Sequence, residues 1–134
     1  MILLIIDDEA FIRSSLIRII TNEFKTKNEC LDLTIVEACD GIECLLAIYL
    51  FHKNNIKFNA LICDETMPYI SGSFLSKIIY DLVSKGVIEE TNMFISTGLT
   101  DKDLINNYSK IVKKVYPKPI DKNDVKDLLK QIAA

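Results

Sequence analysis

The chain has 134 residues, enough for one domain with a sizeable core, and its apolar (49%) and charged (26%) fractions are those of a soluble globular protein. A net charge of −3 and a pI near 5.2 exclude a basic footprint for nucleic acid. The start "MILLIIDDEA" has no basic region and only a short apolar run before its acids, which excludes a secretory signal or a membrane span and points to the cytoplasm.

In chain order, "ILLII" (2–6) reads as a buried strand, and Ile12, Leu16, Ile19, Ile20 and Phe24 mark a helix with Arg13, Arg18 and Glu23 off its apolar stripe. "LTIVEA" (33–38) is the second strand, and Asp40-Gly41 opens a helix to about His52. "NALIC" (59–63) is the third strand; Ser71-Gly72 leads into a helix carrying Phe74, Leu75, Ile78, Ile79 and Leu82. "NMFIS" (92–96) is the fourth strand. A fourth helix is then predicted from an N-cap at Thr100 or Asp101, through Leu104, Ile105, Tyr108, Ile111 and Val112. "KKVY" (113–116) is a short fifth strand ended by Pro117 and Pro119, and a last helix from near Asp121 aligns Val125, Leu128, Leu129 and Ile132.

Five strands thus alternate with five helices, with no repeat and no linker, so residues 1–134 form one domain. Strands that are apolar throughout, rather than alternating, imply a parallel sheet covered on both faces. Right-handed crossovers then give an open, doubly wound α/β domain.

Such sheets bind ligands beyond the carboxyl ends of their strands. Strand one ends in Asp7-Asp8-Glu9, strand three in Asp64, strand four in Ser96-Thr97-Gly98 and strand five in Tyr116-Pro117-Lys118-Pro119. Alone, the first is a helix cap, the third a turn and the last a surface lysine. Together they gather carboxylates, a hydroxyl and an ammonium on one rim. Two carboxylates ~4 Å apart repel by about 4 kcal/mol at an effective dielectric of ~20, so either a pKa rises or a cation joins them. Hard oxygen donors select Mg²⁺ or Mn²⁺.

The stretches "IIDDEAFIR", "EACDGIECL", "ICDETMPYISG", "ISTG" and "YPKPI", in this order, resemble the receiver domains of two-component response regulators, the CheY-like family. The resemblance spans essentially the whole chain and implies a flavodoxin-like (βα)5 fold with strand order 2-1-3-4-5. It implies that Asp64 accepts a phosphoryl group from a histidine kinase or a histidine phosphotransfer protein. It implies further that Asp7, Asp8, Asp64 and the Thr66 backbone carbonyl hold Mg²⁺, that Thr97 is the switch hydroxyl and that Lys118 pairs with a phosphoryl oxygen. The small Gly98 leaves room for that group. The output face would comprise the fourth helix, fifth strand and fifth helix, acting on an output domain or target protein.

Two departures stand out. The position three before Lys118, commonly an inward-turning aromatic in that family, is Val115, with Tyr116 next to it; and "KIVKKV" replaces the usual turn before strand five. Leu99 and Thr66 occupy positions that tune dephosphorylation in the family. Rival readings fit less well. A flavodoxin-like electron carrier would place its phosphate loop after strand one, where this chain has acids. A dehalogenase-type phosphatase needs an Asp-x-Asp motif that "DDEA" lacks. A non-phosphorylating scaffold would not need the retained acids, Thr97 and Lys118. The expected protein is a signalling module and not an enzyme acting on a small molecule.

Three features stay outside that reading. Cys30, Cys39, Cys44 and Cys63 form no CxxC pair, have no histidine at zinc spacing and read as reduced, largely buried thiols. His52, the only histidine, reads as structural or surface. "LLAIYLF" (45–51) is apolar nearly all round, and is expected to lie deep under the "HKNNIKFN" connection; the alternative is a partner or homodimer surface.

Overall fold

A computed structural model describes residues 1–27, 31–98 and 107–133. In chain order these form β1 (Ile2–Ile6), α1 (Ala10–Lys27), β2 (Thr34–Ala38), α2 (Gly41–Lys53), β3 (Ala60–Asp64), α3 (Gly72–Ser84), β4 (Asn92–Thr97), β5 (Val112–Pro117) and α4 (Lys122–Ala133). The strands build one parallel sheet of order β2-β1-β3-β4-β5. None of the described helices is long and apolar enough to cross a membrane.

The uninterrupted apolar strands have the expected cause. Leu4, Ile6, Leu61, Cys63, Met93 and Ile95 enter a core beneath α2 and α3, while Leu3, Ile5, Ala60, Ile62, Phe94 and Tyr116 enter a second core beneath α1 and α4. Alternate residues of one strand therefore serve opposite cores, and both sets must be apolar. Local capping fixes where the helices begin. Asp40 accepts the Glu43 N–H at 2.8 Å while Glu43 reaches back to the Cys39 N–H at 3.1 Å. Ser71 caps α3 through the Phe74 N–H, and Asp121 and Asp124 exchange reciprocal bonds ahead of α4.

Two expectations change. Val112, predicted to end the fourth helix, opens β5; a turn bond from its N–H to the Ser109 carbonyl precedes the strand, and Ile111 accepts a bond from Met93 of β4. The spacing 108, 111, 112 mimicked a helix because one buried residue of a turn and one of a strand fell at that interval. The N-cap at Thr100 or Asp101, with Leu99, Leu104 and Ile105, lies outside the described residues, as does Cys30.

α2 is also not covered as expected. Cys44 and Ile48 are buried, but Leu46, Tyr49 and Leu50 face outward. The connection folds back at the end of the helix, stacking Phe58 on Phe51 with ring centroids 4.6 Å apart, and leaves the outer stripe open. Cys44 and Cys63 are buried free thiols, whereas Cys39 is exposed. Burial pushes the Cys44 thiol up to about 12, so at neutral pH it is packing rather than chemistry.

Candidate functional site

The sheet's carboxyl edge is built by where each strand stops. β1 releases the chain at Asp7, whose N–H bonds the Ala38 carbonyl of β2 at 3.1 Å and whose carbonyl accepts from the Arg13 guanidinium. Arg13 is held in turn by Glu37 at 3.1 Å. Asp7 is thereby buried, its Oδ1 accepting the Glu9 N–H at 2.9 Å, while neighbouring Asp8 stays exposed. β3 carries Asp64 as its last residue, also buried, with Oδ1 accepting the Thr66 N–H at 3.3 Å. Thr66 sits exposed on the rim. Thr97, buried, ends β4; its carbonyl accepts the Lys118 N–H at 3.0 Å, tying the segment after β5 to the rim.

Ligand oxygens of Asp7, Asp8 and Asp64 lie within 4.8 Å of one another. Lys118 Nζ reaches Asp64 Oδ1 at 3.0 Å and Asp7 Oδ2 at 3.2 Å. Three carboxylates thus face one ammonium, and each pair of acids at such a separation repels by about 3–4 kcal/mol at an effective dielectric of ~20. Burial, with the charge of Asp7 adding to it, raises the Asp64 carboxyl above its ordinary range against the pull of Lys118. Burial alone would lower the Lys118 ammonium, but Asp64 and Asp7 together outweigh it and the net shift is upward. The uncompensated negative charge and the all-oxygen donor set fit a divalent hard cation. Beside Asp7 and Lys118 opens a groove of about 390 Å³, lined largely by Phe11, Ile12, Leu16 and Ile120.

Asp7, Asp8, Asp64, Thr66, Thr97 and Lys118, the residues predicted for the site, therefore all lie at this edge. Sequence reading missed Glu65. It is buried, accepting from Ser73 Oγ at 2.9 Å on one oxygen and from Tyr108 Oη at 2.7 Å on the other. Its N–H bonds the Ser96 carbonyl, and its carbonyl accepts the Gly72 N–H. Ser109 makes two further bonds to Ser76, so Tyr108 is tied to Glu65 at the end of β3 and Ser109 to α3. An acid beside a strand end was the one available signal; nothing local marks Tyr108 as its partner. Arg13, read as lying off the helix stripe, is the second residue missed.

The Val115 departure has a structural counterpart. Val115 packs toward the α2/α3 core, while Tyr116 is buried on the opposite face against Phe94 and donates to Asp127 at 2.8 Å. Successive strand residues face opposite ways, so Tyr116 cannot occupy the place of an aromatic at 115.

Two glycines divide sharply. A Cβ on Gly72 would lie 2.7 Å from the Asp64 carbonyl oxygen and 3.0 Å from Glu65 Cα, whereas one on Gly98 meets nothing within 4 Å among the described residues. Gly72→Ala is therefore expected to cost about 1–3 kcal/mol by forcing α3 off the turn that carries Asp64. Gly98→Ala should leave stability within about 0.5 kcal/mol. Paired denaturant melts check the contrast.

No protein-family model and no curated protein matches this chain. Solved structures do. The two-component transcriptional regulator AraC from Clostridium phytofermentans ISDg is similar at 29% identity and a TM-score of 0.73, over 99% of this chain and 92% of that one. The CheY-like receiver domain protein from Methanospirillum hungatei JF-1 gives 20% and 0.74, over 97% and 90%. The Vibrio cholerae chemotaxis protein CheY4 gives 18% and 0.73, over 98% and 97%. The fold of this chain is that of CheY-like response regulator receiver domains.

Proposed function

We propose that this receiver-fold chain is a phosphorylation-dependent signalling module that accepts a phosphoryl group on Asp64 from the phosphohistidine of a histidine kinase or histidine phosphotransfer protein. The observation that carries the reading is the convergence of the Asp7, Asp8 and Asp64 oxygens with Lys118 bridging two of them. The acids, with the Thr66 carbonyl, would hold Mg²⁺ or Mn²⁺. When bound, that ion supplies positive charge against the transferring phosphoryl oxygens.

An Asp64 carboxylate oxygen attacks phosphorus, the phosphorus–nitrogen bond breaks, and its electron pair returns to the leaving imidazole. Transfer of this kind asks the protein mainly for positioning and charge stabilisation. Lys118, already against Asp64, donates to a phosphoryl oxygen and keeps its place through Asp7. The groove beside Asp7 and Lys118 offers the donor protein an apolar seat. The small Gly98 next to Thr97, where an added Cβ would meet none of the described residues within 4 Å, supports room for the new group there.

The product adds about −1.5 to −2 charge and three acceptor oxygens. The Thr97 hydroxyl and the Lys118 ammonium are the donors that follow this change, re-posing the strand-four loop and the face made with β5 and α4. That face would act on an output domain or target protein. With Val115 in place of an aromatic, Thr97 and Lys118 carry the switch without a turning ring.

The test is incubation with Mg²⁺ and a small phosphodonor followed by intact-mass measurement. One phosphoryl adduct is expected, not formed when chelator is present from the start and absent from Asp64→Asn. An adduct persisting in that variant overturns the assignment.

A further inference from the structure

The outer face of α2 carries an apolar stripe that the phosphoryl reading does not use. Ile42, Leu46, Tyr49 and Leu50 recur at helical spacing and are exposed by 55, 56, 60 and 45%. At 100° per residue, all four fall within an arc of roughly 100°, so this is one continuous stripe rather than scattered residues. The helix also has charged ends of opposite sign. Asp40 and Glu43 stand at its start and Lys53 at its end.

We propose that α2 pairs antiparallel with α2 of a second copy of this chain, around a two-fold axis near the middle of the helix. The stripe is self-complementary under such an axis: Leu46 of one copy meets Leu50 of the other, and Tyr49 packs across the centre. An isologous contact of this kind closes at two subunits. The charges select the direction. Antiparallel pairing brings Glu43 of each copy to the Lys53 end of its partner and opposes the helix dipoles, whereas parallel pairing sets acid on acid and base on base.

The area sets the strength. Four half-exposed large side chains and their flanks would bury roughly 900 Å² over both copies, below the ~1,200 Å² of a standard interface. The dimer is therefore weak, with a dissociation constant on the order of micromolar or above. Gly41 opens α2 near the rim, so the two phosphoryl sites would lie at opposite ends of the pair and remain accessible. The inference does not depend on phosphorylation.

Sedimentation or light scattering of the full chain across a concentration series tests it. The molar mass should approach twice the monomer value at high concentration, and Leu46→Glu should hold it at the monomer value throughout. Glu43→Lys and Lys53→Glu should each weaken pairing by roughly fivefold, through two symmetry-related ion pairs. The double reversal should restore it. Within one helix these positions lie about 15 Å apart, so restoration can only arise across copies. Thermal melts of each variant exclude unfolding as the cause. A wild-type chain that stays monomeric overturns the proposal and leaves the stripe to a different protein. A dimer indifferent to Leu46→Glu, or charge reversals that fail to restore one another, overturns it equally.

Discussion

Lys118→Met should destabilise the metal-free protein by about 2–4 kcal/mol at neutral pH, because it strands two buried carboxylates. Asp7 and Asp64 are both buried and both rest on this ammonium, at 3.2 and 3.0 Å. Removing one partner of a buried pair typically costs about 3–5 kcal/mol, and the partial exposure of Lys118 reduces that figure. For a domain of this size the melting temperature should fall by roughly 10 °C in chelator. Three further results follow. Lys118→Arg should retain most of the stability. Mg²⁺ should recover part of the loss, since it binds the native acids and stabilises by mass action. The deficit should also shrink as pH falls toward the ordinary carboxylate range, because burial makes Asp64 take up its proton above that range. A Lys118→Met protein that melts with the wild type in chelator would contradict the charge balance described here.

Asp64→Asn should act in the opposite direction. The native Asp64 carboxyl is raised above its ordinary value by burial first and by the charge of Asp7 second. Ionising it therefore costs more in the folded state than in the unfolded state. Between the ordinary value of 3.8 and the raised native value, the folded protein binds the extra proton. This group's contribution thus improves as pH falls through that window, and is least favourable above it. The asparagine variant escapes the penalty and leaves Lys118 and Asp7 as a one-to-one pair. At neutral pH without metal it should be more stable than the wild type by about 1–2 kcal/mol. The difference should narrow as pH falls toward the ordinary carboxylate range, and also when Mg²⁺ is added. Melting curves of both proteins across that range, with and without chelator, check it. A variant less stable than the wild type at neutral pH would contradict the raised carboxyl.

The contrast between these two variants reflects what the sequence carried. The parallel sheet and the rim were legible because strands one and three are uninterrupted apolar runs, and the residue that breaks each run falls at its carboxyl end; the strand order came from the family resemblance. Asp7 after "ILLII" and Asp64 after "ALIC" are breaks of that kind, and both proved to be buried beside Lys118. Glu65 was not legible. Its burial depends on Ser73 and on Tyr108, 43 residues away, and no periodicity encodes a hydroxyl arriving from that distance. Val112 was misread because the helix interval 108, 111, 112 arose across a turn and a strand. The α2 stripe was visible in "LLAIYLF", but whether the next loop covers it depends on where Phe58 packs, and Phe58 turned to Phe51 instead.

Which side chain takes the phosphoryl group can be read directly. After incubation with Mg²⁺ and a small phosphodonor, borohydride reduces an aspartyl phosphate to homoserine, and peptide mass spectrometry locates the conversion. Homoserine is expected at position 64 alone, dependent on the metal. Conversion at Asp7, Asp8 or Glu65, or an adduct that yields no homoserine, would contradict that assignment.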